Sequence, residues 1–194
     1  MKKSADFGSP VIDVIKTRRS RRAYSDKPVE LEKIRSLFEA ARWAPSSLNE
    51  QPWFYLYATK NQESLWSKIF ESLNQGNKIW AGHAPLLILG LARKNFIRFD
   101  SPNPSARYDL GAANAFLSLQ AAHLGLNVHQ IAGFDPQIAI KNLGVPEIYE
   151  PVIVMAIGYP GNAEMLPENL KLRESAPRER YIEQEFVLNK SFYD

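Results

Sequence analysis

Apolar residues recur along this chain at two periods, and the changes of period mark its elements. Leu31, Ile34, Leu37, Phe38 and Ala41 keep the three-and-four spacing of one buried helical face, which predicts a helix over Leu31–Ala44 stopped by Pro45. Ahead of it, Ser9-Pro10 reads as a cap and first turn, and Val11, Ile12, Val14 and Ile15 supply the apolar contact of a helix over Val11–Thr17. The aromatic run Trp53–Ala58 predicts a strand. Helical spacing returns over Glu63–Leu73 and Asn77–Gly82, and Leu86–Ala92 is a continuous apolar strand covered on both faces. Asn95–Ser105, with two prolines and two phenylalanines, predicts a loop or lid.

The longest helix is expected over Arg107–Leu124, closed by Gly125. Leu110, Ala113, Leu117, Ala121 and Leu124 form one apolar stripe; Ala112, Phe116, Leu119 and His123 form a second beside it, with His123 packed on its own helix. So wide an apolar face belongs in a core or a subunit interface. A short strand follows over Asn127–Ile131, then a helix capped by Asp135-Pro136 and ending near Gly144, then the apolar strand Pro151–Gly158. From Pro160 to Pro177 the chain is polar and interrupted by prolines; a short helix is expected around Arg178–Leu188. Strands and helices interleave unevenly, which favours an α+β fold or a mixed sheet over a regular doubly wound one.

Composition narrows the function classes. A chain of 194 residues fits one domain, or one large domain with an appendage, and at this size it buries roughly 70% of its unfolded surface without staples. Cysteine is absent, which removes disulfides, thiolate nucleophiles and cysteine metal sites. The start carries no apolar signal segment, and no apolar run reaches the ~18 residues of a membrane helix. A cytoplasmic protein, with no membrane partner, is the expectation. Net charge is +3, too mild to argue for nucleic acid, but Arg18, Arg19, Arg21 and Arg22 fall within five positions, and Arg173, Arg178 and Arg180 form a later group.

The common catalytic signatures are missing. There is no glycine-rich nucleotide loop, no H-E-x-x-H and no G-x-S-x-G elbow, and His83, His123 and His129 lack metal spacing, so no metal is expected. Glu30/Glu32 and Glu147/Glu150 read as solvated faces or helix ends. Two segments remain. Thr17-Arg18-Arg19-Ser20-Arg21-Arg22-Ala23-Tyr24 has the guanidinium forks and hydroxyl donor that suit phosphate oxygens, and reads also as a solvated basic turn or as a nucleic-acid or membrane patch. Ala44-Pro45-Ser46-Ser47-Leu48-Asn49-Glu50-Gln51-Pro52-Trp53 places small hydroxyl and amide side chains before an aromatic strand, as a turn or as a site for a planar polar ligand.

In order and spacing, the two segments resemble the nitroreductase family of flavoproteins, with its R-x-S-x-R segment followed by a P-S-S-x-N-x-Q-P-W loop. Gly76-Asn77-Lys78-Ile79-Trp80 before Ala84-Pro85, Ala121–Leu126 at the end of the long helix, the turn Ile131-Ala132-Gly133-Phe134-Asp135, Ile157-Gly158-Tyr159-Pro160 and the pair Arg178/Arg180 are similar to that family's segments in the same order. The resemblance covers nearly the whole chain. It implies a single domain over 1–194, an α+β fold with a mixed central sheet surrounded by helices, and an intertwined homodimer whose extension from about residue 161 wraps the partner. It also implies non-covalent FMN at the subunit interface and NADH or NADPH as donor.

By motif position, Arg18, Ser20, Arg178 and Arg180 would hold the phosphate, and Arg19 would lie near the ribityl chain. Arg22 and Asn77 would meet the pyrimidine edge; Ile131, Ala132 and Gly133 would lie against the ring; Pro45, Ser46, Ser47 and Asn49 would come from the partner; Arg21 would face solvent. The expected reaction is ping-pong transfer through flavin N5 to nitroaromatic, quinone or similar small-molecule acceptors, with no protein group as catalyst and with Phe96 and Phe99 covering the acceptor. Asn127-Val128-His129-Gln130 departs from the glycine-rich turn of many members, and the lid matches no specialised branch. Two other readings stay open: an FMN-binding protein with a specialised task, and a basic nucleic-acid-binding protein.

Overall fold

The computed structural model describes residues 1–192. In chain order its elements are β1 (Lys3–Ser4), α1 (Asp13–Thr17), α2 (Leu31–Arg42), β2 (Trp53–Thr59), α3 (Glu63–Glu71), α4 (Gln75–Ala81), β3 (Leu86–Arg93), α5 (Ala106–His123), β4 (Asn127–Ile131), α6 (Pro136–Leu143), β5 (Tyr149–Gly158), α7 (Glu168–Ser175) and β6 (Arg180–Tyr181). The main sheet has the order β2-β3-β5-β4, and β1 pairs with β6 in a separate ribbon.

Residues of β3 alternate between two cores. Leu86 and Ile88, with Val128 of β4 and Met155 and Ile157 of β5, meet Ile34, Leu37 and Ala41 of α2 and Ala113, Leu117 and Ala121 of α5. Leu87, Leu89 and Leu91, with Val154 and Ala156 of β5, meet Ile69 of α3, Trp80 and Ala81 of α4 and Ala139 of α6. Helices thus cover both faces of the sheet, and the α+β class expected from the sequence is the one observed. The expected mixed sheet is corrected: within the chain all three ladders are antiparallel. A continuous apolar strand reports cover on both faces, and cover does not fix the direction of its neighbours.

Several boundaries differ from expectation for local reasons. α2 ends at Arg42, where Trp43 N–H returns to the carbonyls of Ala40 and Ala41, because Pro45 disfavours helix at the residue before it. α1 begins only at Asp13 and has no buried residue. The second stripe of α5 is only partly covered: Ala112 packs against the core, whereas Phe116 is 42% exposed and His123 is exposed rather than packed on its helix. The polar stretch after Pro160 contains a helix that its composition hid, α7, whose Leu170 and Glu174 are buried with Leu166. The helix expected around Arg178–Leu188 is replaced by β6, paired to β1, and a 3-10 turn at Glu183–Glu185. No described helix is long and apolar enough to cross a membrane.

Candidate functional site

After α1 the chain turns extended at Arg18 (φ −55°, ψ 127°) and runs to Tyr24. There it lies antiparallel to the end of β5: Ser25 N–H donates to Tyr159 O at 3.1 Å, and Gly161 N–H donates to Ala23 O at 3.0 Å. The Tyr24 hydroxyl donates to Ala156 O at 2.9 Å, and burial raises its pKa well above the ordinary tyrosine value. Gly161 permits this approach, since a Cβ there would lie 2.3 Å from the Tyr24 carbonyl.

Extended backbone sends successive side chains to opposite sides, and the arginines divide accordingly. Arg19 donates to Ala176 O at 2.5 Å, and Arg21 lies against Glu174, at 3.4 Å from its carbonyl and 4.0 Å from its carboxylate. Both therefore sit at the C-terminal end of α7, where cations meet unpaired carbonyls. Arg21 is half-buried on that helix, so its expected solvent-facing position is corrected. On the other side Arg18 donates to Ser20 Oγ at 3.2 Å, and the Arg22 guanidinium lies 5.7 Å from the centre of the Trp80 ring. Trp80, fully buried in α4, also meets the His129 ring at 4.5 Å, and His129 Nδ1 lies 3.1 Å from Arg21 O. A carbonyl only accepts, so Nδ1 carries the proton. Burial first, then the positive charge of Arg22, holds the His129 pKa down at about 4.

Arg178 donates to the carbonyls of Arg18, at 2.5 Å, and of Lys16, closing the end of α1. Arg180 donates to Glu179 O at 2.7 Å. Burial lowers the pKa of Arg18, and the nearby charges of Arg178 and Arg180 lower it further. The three line a cavity of about 810 Å³ whose apolar wall includes Phe7, Val11, Ile15 and Phe186. Among the described residues, the six arginines 18, 19, 21, 22, 178 and 180 make one ion pair, Arg21–Glu174. A compact group of cations with so little internal neutralisation suits a dianionic phosphate.

The α4 helix that carries Trp80 also carries Asn77, whose Nδ2 donates to Gly133 O at 2.9 Å. A Cβ on Gly133 would lie 2.5 Å from that nitrogen, so any side chain there would displace the Asn77 amide. Ile131 is buried at the end of β4, Ala132 is exposed, and the amides of Ala132 and Gly133 find no acceptor among the described residues. Open amides beside a side-chain amide fit the edge of a flat heteroaromatic ring. The arginine segment and this turn are thus joined through Arg22, Trp80 and α4.

The Pro45–Gln51 loop lies elsewhere. Ser47 N–H donates to the buried Asp109 carboxylate at 3.1 Å, Ser46 Oγ accepts from Gln51 N–H at 3.0 Å, and Pro45 and Asn49 are exposed. Leu48, Asn49 and Gln51 all take left-handed backbone, with φ of 53°, 55° and 50°. The buried Glu50 carboxylate accepts from Ile97 N–H, which ties this loop to the Phe96–Ser101 turn. Phe96 and Phe99 meet edge-on at 6.0 Å, with Phe99 61% exposed. No hydrogen bond or ion pair among the described residues joins this loop to the arginine segment. The sequence reading did not single out Trp80, Asp109, Glu50 or Glu174 as functional residues. The only sequence signal for Glu174 was its place four residues after Leu170 and eight after Leu166, on one helical face.

Residues 15–159 match the model of the Nitroreductase family. A crystal structure described as an oxidoreductase containing FMN superposes with a TM-score of 0.91 at 30% identity, over 99% of this chain and 98% of that one. A nitroreductase family protein of Clostridium difficile 630 superposes with a TM-score of 0.73 at 25% identity, over 95% and 100%. The FMN reductase [NAD(P)H] of Bacillus subtilis is 27% identical over 192 residues, covering 90% of this chain and 76% of its own. With the family model matched over residues 15–159, from within α1 to the end of β5, the chain belongs to the nitroreductase family.

Proposed function

We propose that this chain is an FMN-dependent oxidoreductase. It takes electrons from NADH or NADPH and passes them to nitroaromatic, quinone or similar electron-poor acceptors, one substrate leaving before the next enters the same place. The observation that carries the reading is the arginine group: Arg18, Arg178 and Arg180 are held close against their own repulsion. Their segment ends in Arg22, against the helix that bears Asn77. When bound, FMN supplies the hydride and electron chemistry; the protein binds and orients. In this reading Arg18, Ser20 and Arg180 face the phosphate, joined by the guanidinium N–H groups of Arg178 that its carbonyl contacts leave over. Arg19 borders the ribityl chain while holding α7. Arg22 brings positive charge to the pyrimidine edge, which favours the reduced, anionic ring. The missing Cβ of Gly133 lets the Asn77 amide pack onto the turn, beside the open amides.

The same reading makes the enzyme a homodimer. Pro45, Ser46, Ser47 and Asn49, which make no hydrogen bond or ion pair with their own chain's arginines among the described residues and do not line the arginine cavity, complete the site of the other subunit, and Phe96 and Phe99 cover the acceptor. Exposed Tyr108 and Phe116 on α5, and Phe186, Val187 and Leu188 beyond β6, supply apolar surface for the partner. Purified protein should show the visible absorption of oxidised flavin, or take up added FMN, and should oxidise NADH or NADPH in the presence of menadione and of a nitroaromatic. Colourless protein that ignores added FMN sinks the proposal. Mixing Arg18→Ala chains with Asn49→Ala chains should restore FMN sites in the hybrid dimer; no recovery would place both segments in one subunit's site.

A further inference from the structure

The arginine segment has a brace that its own sequence does not contain. Glu174, on the last turn of α7, is 5% exposed, and its carboxylate points into the backbone of the segment. Oε1 accepts from Arg22 N–H at 3.2 Å and Ala23 N–H at 3.3 Å; Oε2 accepts from Arg22 N–H at 3.1 Å. Its ion pair with Arg21 is long, at 4.0 Å, and Arg21 is partly exposed, so that pair contributes little. The amide bonds are the substantial contacts. A buried carboxylate needs such donors, and a backbone that supplies two consecutive ones is fixed at both residues.

The placement of these bonds matters for binding. Arg22 and Ala23 lie between the phosphate-facing Arg18 and Ser20 and the strand-like contacts at Tyr24. A carboxylate that reached across to the Arg18 or Arg22 guanidinium would compete with an incoming phosphate. Glu174 instead takes main-chain N–H groups from behind and leaves the even-numbered side chains free. We propose that Glu174 is a positioning residue for the cofactor phosphate: it holds the segment in its binding shape before FMN arrives, acting through the amides of Arg22 and Ala23 and not through its charge. This rests on the FMN reading above.

Glu174→Ala and Glu174→Gln separate the two roles, because a glutamine Oε1 can accept the same two amides without the charge. Kd for FMN and for riboflavin, which lacks the phosphate, is measured by flavin fluorescence quenching on apoprotein. Losing these amide bonds should weaken FMN binding by roughly tenfold or more in Glu174→Ala, while riboflavin, which keeps the ring contact of Arg22 but lacks the phosphate, should lose less. Glu174→Gln should bind both flavins nearly as the unsubstituted protein does. In apoprotein, amide hydrogen exchange at Arg22 and Ala23 should quicken in Glu174→Ala and stay slow in Glu174→Gln. If Glu174→Ala does not fold, Glu174→Asp, which withdraws the carboxylate by one methylene, carries the same test. The proposal is overturned by unchanged FMN affinity in the alanine variant, by equal loss of FMN and riboflavin, or by a glutamine variant as weak as alanine. Failure of the unsubstituted protein to bind FMN would instead remove the FMN reading itself, and this one with it.

Discussion

The arginine segment Arg18–Tyr24 and the loop Ser46–Gln51 are both short, irregular and polar, yet they hold their shapes by opposite means. The arginine segment has no left-handed residue; its backbone is relaxed and is clamped from outside by Glu174, by Arg178 and by the end of β5. The loop concentrates three left-handed non-glycine residues within four positions and is anchored to the core at few points, chiefly Asp109. Such conformations cost on the order of 1–3 kcal/mol each and persist only where the surroundings impose them. The difference teaches that a binding backbone can be preorganised by partners or by stored strain, and that the two should respond differently to substitution.

The largest effect is expected at the phosphate end of the clamped segment. Arg18→Ala should weaken FMN binding by about tenfold to hundredfold, the worth of a charge-assisted contact, with apoprotein stability nearly unchanged. Arg21→Ala should reduce affinity far less and should instead lower apoprotein stability slightly, because Arg21 rests on α7. Titration of both apoproteins with FMN, paired with thermal unfolding, checks this. Equal losses of affinity would mean that the segment acts by general basicity and that its alternation is irrelevant.

Asp109→Ala is the matching test for the loop. The substitution leaves Ser47 N–H without its acceptor, at a cost of about 1–3 kcal/mol, toward the lower end because Ser47 is partly solvated. With few other anchors the loop should change shape, so both unfolding stability and FMN affinity should fall, affinity by less than in Arg18→Ala. An intact affinity would show that the loop holds itself and would dissolve the contrast.

Part of this contrast was legible in the sequence. α6 was readable in full, because Asp135 at its cap, Pro136 in its first turn and left-handed Gly144 at its end act locally. The charge of Arg18–Arg22 was visible too; its pairing with a later arginine group followed only from the resemblance to the nitroreductase family. What holds each arginine in place was not visible. That depends on α7, a polar helix whose few buried positions have meaning only once they rest on the segment they brace. Strand direction was hidden for a similar reason, since burial on both faces of β3 comes from helices distant in sequence. Local chemistry writes caps and turns into the sequence; a brace between residues 152 positions apart, such as Glu174 and Arg22, leaves almost no trace.

A smaller effect probes the clamp through pH. His129 is neutral in the folded chain, with its pKa at about 4 against an ordinary 6.5. Between those values the unfolded chain takes up a proton that the folded chain does not. Stability should therefore fall as pH drops from about 6.5 to about 4, by on the order of 2 kcal/mol or less from this group. Below that window both states hold the proton and this contribution falls no further. His129→Gln should flatten that part of the stability curve, measured by urea unfolding at several pH values. A variant whose curve keeps the same slope would assign the acid sensitivity to the exposed, ion-paired carboxylates instead.

The smallest effect separates the two modes most directly. Leu48 is 56% exposed and sits at φ 53°, so glycine there loses little packing. Relief of the left-handed conformation gains roughly 1 kcal/mol, and the added freedom of the unfolded chain removes about 0.5–1 kcal/mol. Leu48→Gly should therefore change apoprotein stability by only a few tenths of a kcal/mol, in either direction. Ser20→Gly in the arginine segment has no left-handed strain to relieve. It should show the entropic loss undiminished, about 0.5–1 kcal/mol of destabilisation, beyond whatever its hydroxyl contact to Arg18 supplies. The paired unfolding curves thus read stored strain as a difference between two glycine substitutions. If Leu48→Gly destabilises as much as Ser20→Gly does, the left-handed run stores nothing, and the loop's shape rests on its hydrogen bonds, those of Asp109 and Glu50 above all.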